Sequence, residues 1–199
     1  MNKAIFLFLT GFLVLAHGKA HALLFTVDAY LHSSVLDTPG SWVPGPGLDT
    51  GIYLSAGHHF TVNVDPNDLW SAGALPRWSN ANGLVASLYA TGSDESGQLA
   101  GTLIGLNWPR VFTWSGLTAP FGSLVGELGG TFFPIGTNYY GHAPASGTLK
   151  LFYWDINNHD NTQNVVADVA AVPEPASLLM FGSGLTGLAM WARRRRRLT

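Results

Sequence analysis

Three stretches of this chain alternate apolar and polar residues with a period of two. Phe60, Val62 and Val64 alternate with Thr61 and Asn63. Val165, Ala167 and Val169 alternate with Val166 and Asp168, and Leu149, Leu151 and Tyr153 alternate with Lys150 and Phe152. Successive side chains on a strand point to opposite faces, so this period predicts strands with one buried face. Leu23–Tyr30 predicts a further strand. The short apolar segments are separated by Gly, Pro and Asn turns, and no stretch of the body carries a helical period. The pattern predicts an all-β domain, an antiparallel β-sandwich.

Two continuous apolar runs break this pattern, one at each end. Lys3, the run Ile5–Ala16 and Ala20-His21-Ala22 have the order of a secretory signal peptide, with an A-x-A cleavage site. At the other end Val172-Pro173-Glu174-Pro175 precedes an uncharged run, Ala176–Ala192, and then Arg193, Arg194, Arg195, Arg196 and Arg197. Seventeen residues make ~25 Å of helix, the short limit for spanning a bilayer. The arginine block predicts a cytoplasmic end. The expected organisation is a signal peptide at 1–22, a β-sandwich body at 23–171 and a tail at 172–199 with a transmembrane helix at 176–192.

The ends also distort the charge. The formal net charge is −2, yet seven of the ten basic residues lie in the leader and the arginine block. Between Leu23 and Val172 only Arg77, Arg110 and Lys150 stand against eleven acids, a net of −8. Such a body lacks the basic face that nucleic acid requires. It suits a cation or a neutral sugar. Cysteine is absent, so rigidity must come from the core or a bound ion, and thiol chemistry is excluded.

Oxygen-bearing side chains concentrate between the last two alternating stretches. Asp155, Asn157, Asn158, His159, Asp160 and Asn161 fill six of seven positions. Calcium takes six to eight oxygens from carboxylates, amides, backbone carbonyls and water. The same residue types are ordinary turn formers, so a plain hairpin stands beside the cation site as a reading. An EF-hand does not fit, because Asp160 stands where its glycine is needed and Val166 where its glutamate is needed. His58-His59 reads as a turn into a strand, where neighbours face opposite ways. His32 and His142 fall in loops without an evident partner, and Asp94 and Glu95 at a solvated loop tip. No G-x-S-x-G, H-E-x-x-H or phosphate-cradling glycine loop is present. Two carboxylates in one short loop suit ligation better than the opposed pair of a glycosidase. The chain does not read as an enzyme. Trp108 and Trp114 flank Pro109-Arg110 as a platform for a sugar ring, and Trp154 adjoins Asp155 at the loop mouth.

The tail resembles the PEP-CTERM sorting domains, through Pro173, Glu174, Pro175, the short apolar run and the basic block Arg193–Arg197. That resemblance implies processing by an exosortase, a membrane protease, after anchoring in the inner membrane. It implies a destination at the cell surface or in the extracellular matrix of a Gram-negative bacterium.

The body resembles the PA-IL-like galactophilic lectins, which are calcium-dependent β-sandwich sugar binders. The ordered set that carries this is Trp42, Asp49-Thr50-Gly51-Ile52, Ser55-Ala56-Gly57, Pro120–Gly130, Phe133–Thr137, Gly147–Leu151 and the Asp155…Asp160-Asn161 loop. The resemblance implies calcium held by Asp155, Asp160 and Asn161. A carbonyl of Asn157 or Asn158 and one from Trp70–Gly73 would complete the shell. It implies a sugar ligand at Trp154, Asp155, Asp160 and Asn161. The His and Gln that add sugar contacts in that family have no counterpart in Trp78–Gly97, which leaves the sugar open between a galactose-like unit and an exopolysaccharide. Two functions follow: a calcium-dependent carbohydrate-binding module, or a structural matrix protein on the same fold in which calcium only stabilises.

Overall fold

The computed structural model describes residues 22–38 and 41–172. The expected signal peptide, apart from Ala22, and the tail from Pro173 with its helix and arginine block lie outside the described residues. No helix among the described residues is long and apolar enough to cross a membrane.

Every element of the described chain is a strand. β1 (Ala22–Asp28) is followed by β2 (Val35–Thr38) and β3 (Ser41–Pro44), which pair with each other, then by β4 (Leu48–Leu54) and β5 (His59–Val64). Three short pairs come next. They are β6 (Trp70–Ser71) with β7 (Trp78–Ser79), β8 (Leu88–Tyr89) with β9 (Leu103–Gly105), and β10 (Val111–Trp114) with β11 (Leu117–Pro120). β12 (Ser123–Leu128), β13 (Thr131–Pro134), β14 (Asn138–His142), β15 (Gly147–Trp154) and β16 (Asn164–Ala171) complete the order.

Two four-stranded antiparallel sheets carry the body, ordered β1-β16-β5-β14 and β13-β12-β15-β4. One core cluster joins them. Val27, Phe60, Val62, Val165, Ala167 and Val169 of the first sheet share it with Leu54, Leu124, Leu128, Leu149, Leu151 and Tyr153 of the second. Alternation on β5 and β16 buries the apolar positions the sequence predicts. Each large aliphatic or aromatic side chain so buried contributes about 1.5–3 kcal/mol.

β15 departs from its predicted period. Leu151, Phe152, Tyr153 and Trp154 are all buried. Its second face is covered, because Phe152 and Trp154 pack into a separate cluster with Val35, Phe112, Ala119 and Val125. Trp154 donates its indole N–H to the Phe112 carbonyl at 3.0 Å, and Trp70 donates its own to Gly122 at 2.8 Å. Both buried indoles are thereby satisfied.

β15 and β16 belong to different sheets. The segment between them is therefore an arch from one sheet to the other, and the plain hairpin reading is corrected. An arch at the end of a sandwich is held by what packs beneath it, which here is the segment between β1 and β2.

Candidate functional site

That arch is stitched down from below. Ser34 Oγ donates to the Asp155 carbonyl at 2.9 Å and accepts from the Asp155 N–H at 3.1 Å. Asn158 accepts from the Asp37 N–H at 3.1 Å and donates to the Tyr30 carbonyl at 3.3 Å. Asn161 donates to the Ala29 carbonyl at 3.3 Å. On its other side Thr162 exchanges backbone hydrogen bonds with Ser71 at 3.0 and 3.1 Å. Asp155 thus follows directly on β15 and is tied to Ser34, the residue before β2.

The cost of that position is electrostatic. Asp155 is 5% exposed. Its Oδ1 accepts from the Ile156 N–H at 2.6 Å and the Asn157 N–H at 3.4 Å. Burial, with a smaller contribution from the Asp160 charge, pushes its pKa up to about 7, although those N–H groups and Asn161 act the other way. Two buried oxygens nearby in sequence have no hydrogen-bond partner, Asn161 Oδ1 in the arch and the Tyr153 hydroxyl near Gly122. The Asn161 amide cannot usefully be turned over, because its nitrogen faces the Ala29 carbonyl. Burial and then the two aspartates raise the Tyr153 pKa as well. A buried carboxylate with an orphaned amide oxygen in the same arch is an arrangement that a cation relieves.

Asp160 lies at the surface end of the arch. It accepts from Asn157 Nδ2 at 3.1 Å and pairs with Arg77 at 3.3 Å, both partners of the ion pair being about 40% exposed. Gly73 packs against this carboxylate. Its φ is +118°, and a Cβ there would strike the Asp160 side chain, so the position requires glycine twice over.

Asp155, Asn157 and Asp160 form one side of an open cleft of about 290 Å³. Arg77, Trp108 and Arg110 line the same cleft, with Leu84 and Phe121 as apolar surface. The Arg77 guanidinium carbon lies 5.3 Å from the Trp108 ring centroid, in cation–π range. Trp108 is pinned by its backbone N–H, which donates to the Leu84 carbonyl at 3.0 Å.

Among the predicted ligands, Asp155, Asp160, Asn157 and Asn161 come together. One assignment is corrected. Trp154 is fully buried in the second core cluster and has no face for a ligand, because the β10–β11 hairpin covers it. Asn158 is 6% exposed, and both ends of its amide are engaged by Asp37 and Tyr30, so its side chain anchors the arch. The sequence reading missed Arg77 as a cleft residue. For Trp108 and Arg110 the available signal was the W-P-R triplet. Ser71 and Gly73 abut the arch, through the Ser71–Thr162 backbone pair and the Gly73–Asp160 contact.

The histidines also need correction. His142 is on β14, its ring 3.7 Å from that of its cross-strand neighbour His59. His32 Nδ1 accepts the Asp28 N–H at 2.9 Å, and burial lowers its pKa. Among the described residues no three His, Asp or Glu side chains converge as a metal site. Any cation at the arch therefore relies on amide and carbonyl oxygens beside the two carboxylates. A larger groove of about 570 Å³ holds Asp65, Asp68, Asp94 and Glu95. Three of these four carboxylates are occupied locally: Asp94 by Thr91 and Ser96, Asp65 by Asn67, and Asp68 by the Val166 N–H at 2.7 Å.

Residues 171–197 match the PEP-CTERM protein-sorting motif. The chain thus carries this motif, which implies export and sorting to the cell surface. A solved structure described as the EclA N-terminal domain, a PllA-like lectin, is similar over 75% of this chain and 97% of its own, with 20% identity and a TM-score of 0.46. No curated protein matches the chain.

Proposed function

We propose that the body is a calcium-dependent carbohydrate-binding module whose ligand lies in the cleft between the Asp155–Asn161 arch and Trp108. The observation that carries this reading is the buried Asp155 carboxylate, in one arch with the unpartnered Asn161 Oδ1 and lining a cleft that Trp108 also lines. Asp155, Asp160, Asn157 and Asn161 would hold calcium. The bound ion supplies positive charge and open positions for ligand oxygens. Trp108 offers an apolar face to the C–H side of a sugar ring, and Arg77 and Arg110 offer donors to its hydroxyls. Nothing in the cleft pairs an acid with a base across a scissile bond, so the reading is binding without turnover.

In this account the protein is exported by the Met1–Ala22 signal peptide. It is held in the inner membrane by the 176–192 segment and processed by an exosortase at Pro173-Glu174-Pro175. It then acts at the cell surface or in the extracellular matrix of a Gram-negative bacterium.

A second reading is a structural matrix protein in which calcium only stabilises. The Arg77–Asp160 pair favours it, since a guanidinium already neutralises one carboxylate. Retention of the exported protein on galactose and polysaccharide resins, with calcium and with chelator, separates the two. The module reading expects retention with calcium and loss with chelator. Equal retention in both conditions contradicts the calcium dependence, and retention in neither supports the matrix reading.

A further inference from the structure

Arginine is scarce in this body. Arg77 and Arg110 are its only two arginines, in a region with eleven acids, and both line the same cleft. They are not equivalent. Arg77 is engaged on three sides, by the Ala72 carbonyl at 3.4 Å, the Asp160 carboxylate at 3.3 Å and the Trp108 ring. Arg110 is exposed and makes no side-chain hydrogen bond or ion pair among the described residues. Its five donors are therefore free at the cleft's edge, two residues from the indole face.

The charges around the cleft are close to balanced. Arg77 answers Asp160. Arg110 lines the same cleft without a carboxylate partner. A bound cation at the arch would add to the positive side. In a body of net −8 the cation-loaded cleft would be a locally cationic concavity, and low-dielectric walls focus such a field. A neutral sugar has no group that uses a free guanidinium fully. A planar carboxylate or a sulfate does, through two parallel N–H···O bonds.

We propose that the cleft selects an anionic sugar, a uronic acid or a sugar sulfate, and that Arg110 is the residue that reads its charge. This rests on the carbohydrate-binding reading above. Trp108 takes the ring face, and Arg110 takes the oxyanion at the rim. Lys150, the third cation of the body, sits on β15 between Glu127 and Asp49 in register and does not line the cleft.

The test is a glycan array carrying neutral, uronate and sulfated glycans, probed in calcium with the wild-type protein, Arg110→Gln and Lys150→Gln. Wild type should bind the anionic glycans in preference, and the arms containing uronate or sulfate alone identify which oxyanion is read. Arg110→Gln should weaken that binding roughly tenfold or more, the size of one charge-assisted hydrogen bond, and should weaken neutral binding by less. Lys150→Gln removes the same charge elsewhere and should change nothing. Equal binding of neutral and anionic glycans by wild type overturns this inference but leaves the carbohydrate reading standing, as does an equal loss in the two variants. Binding to no glycan overturns both.

Discussion

The Arg77 guanidinium meets the Asp160 carboxylate at 3.3 Å, across a separation of 83 residues, and lies over the Trp108 ring. The pair joins the loop after β6 to the β15–β16 arch and closes one side of the cleft. Because each partner is about 40% exposed, its contribution to stability is small, roughly 0–1 kcal/mol.

Its effect on calcium should be larger than its effect on folding. Arg77 and a bound cation compete for the same Asp160 oxygens. Arg77→Gln should therefore tighten calcium binding in a calorimetric titration while moving the melting temperature of the chelated protein by no more than a few degrees. Weaker calcium binding in Arg77→Gln would show that the guanidinium supports the site instead of competing for it.

Trp154 and Trp108 have opposite roles, and mutation separates them. Trp154 is buried between the second sheet and the β10–β11 hairpin, so Trp154→Ala should cost about 3–5 kcal/mol of stability. Trp108 is half-buried at the cleft, and Trp108→Ala should abolish glycan retention at a smaller cost in stability. Urea unfolding and resin retention on the same two variants check this. Loss of retention in a stable Trp154 variant would restore Trp154 as a ligand contact.

The ionisation of Asp155 gives the chelated protein a pH dependence. Its folded pKa is about 7, against about 3.9 when unfolded. Between those values the folded state binds the proton and the unfolded state does not. Stability should therefore fall as pH rises from about 4 to 7, by up to about 4 kcal/mol, and flatten above. Asp155→Asn should remove this slope. His32, whose lowered pKa acts in the opposite direction, cancels in the comparison of the two proteins. Identical pH profiles for wild type and Asp155→Asn, measured by denaturant melts with chelator, would contradict the burial of an ionisable group here.

Much of the sandwich was legible because period-two alternation is a local signal. Phe60, Val62 and Val64, like Val165, Ala167 and Val169, announce one buried face without help from the rest of the chain. β15 was legible as a strand, but its second buried face was not, since Phe112 and Ala119 cover it from far away in sequence. The same distance hid the assignment of β15 and β16 to different sheets. Asp155, Asn157, Asp160 and Asn161 were found because they are clustered in sequence. Arg77, Trp108 and Arg110 come from a stretch of short strand pairs with weak periodicity, and only folding brings them into one cleft with the arch. Adjacency misled for Trp154, because the residue before Asp155 on a strand points to the other face.

The claim that the arch is a calcium site is tested most directly by thermal melts of the wild type and Asp155→Asn at pH 8, with chelator and with saturating calcium. At a hundredfold excess over its dissociation constant, calcium should stabilise the wild type by about 2.7 kcal/mol. That is a rise of several degrees for a domain of this size. Asp155→Asn should show little or no rise, and Asp94→Asn, in a loop where local hydroxyls and N–H groups already hold the carboxylate, should rise like the wild type. Equal melting temperatures for wild type and Asp155→Asn, with and without calcium, would contradict the site.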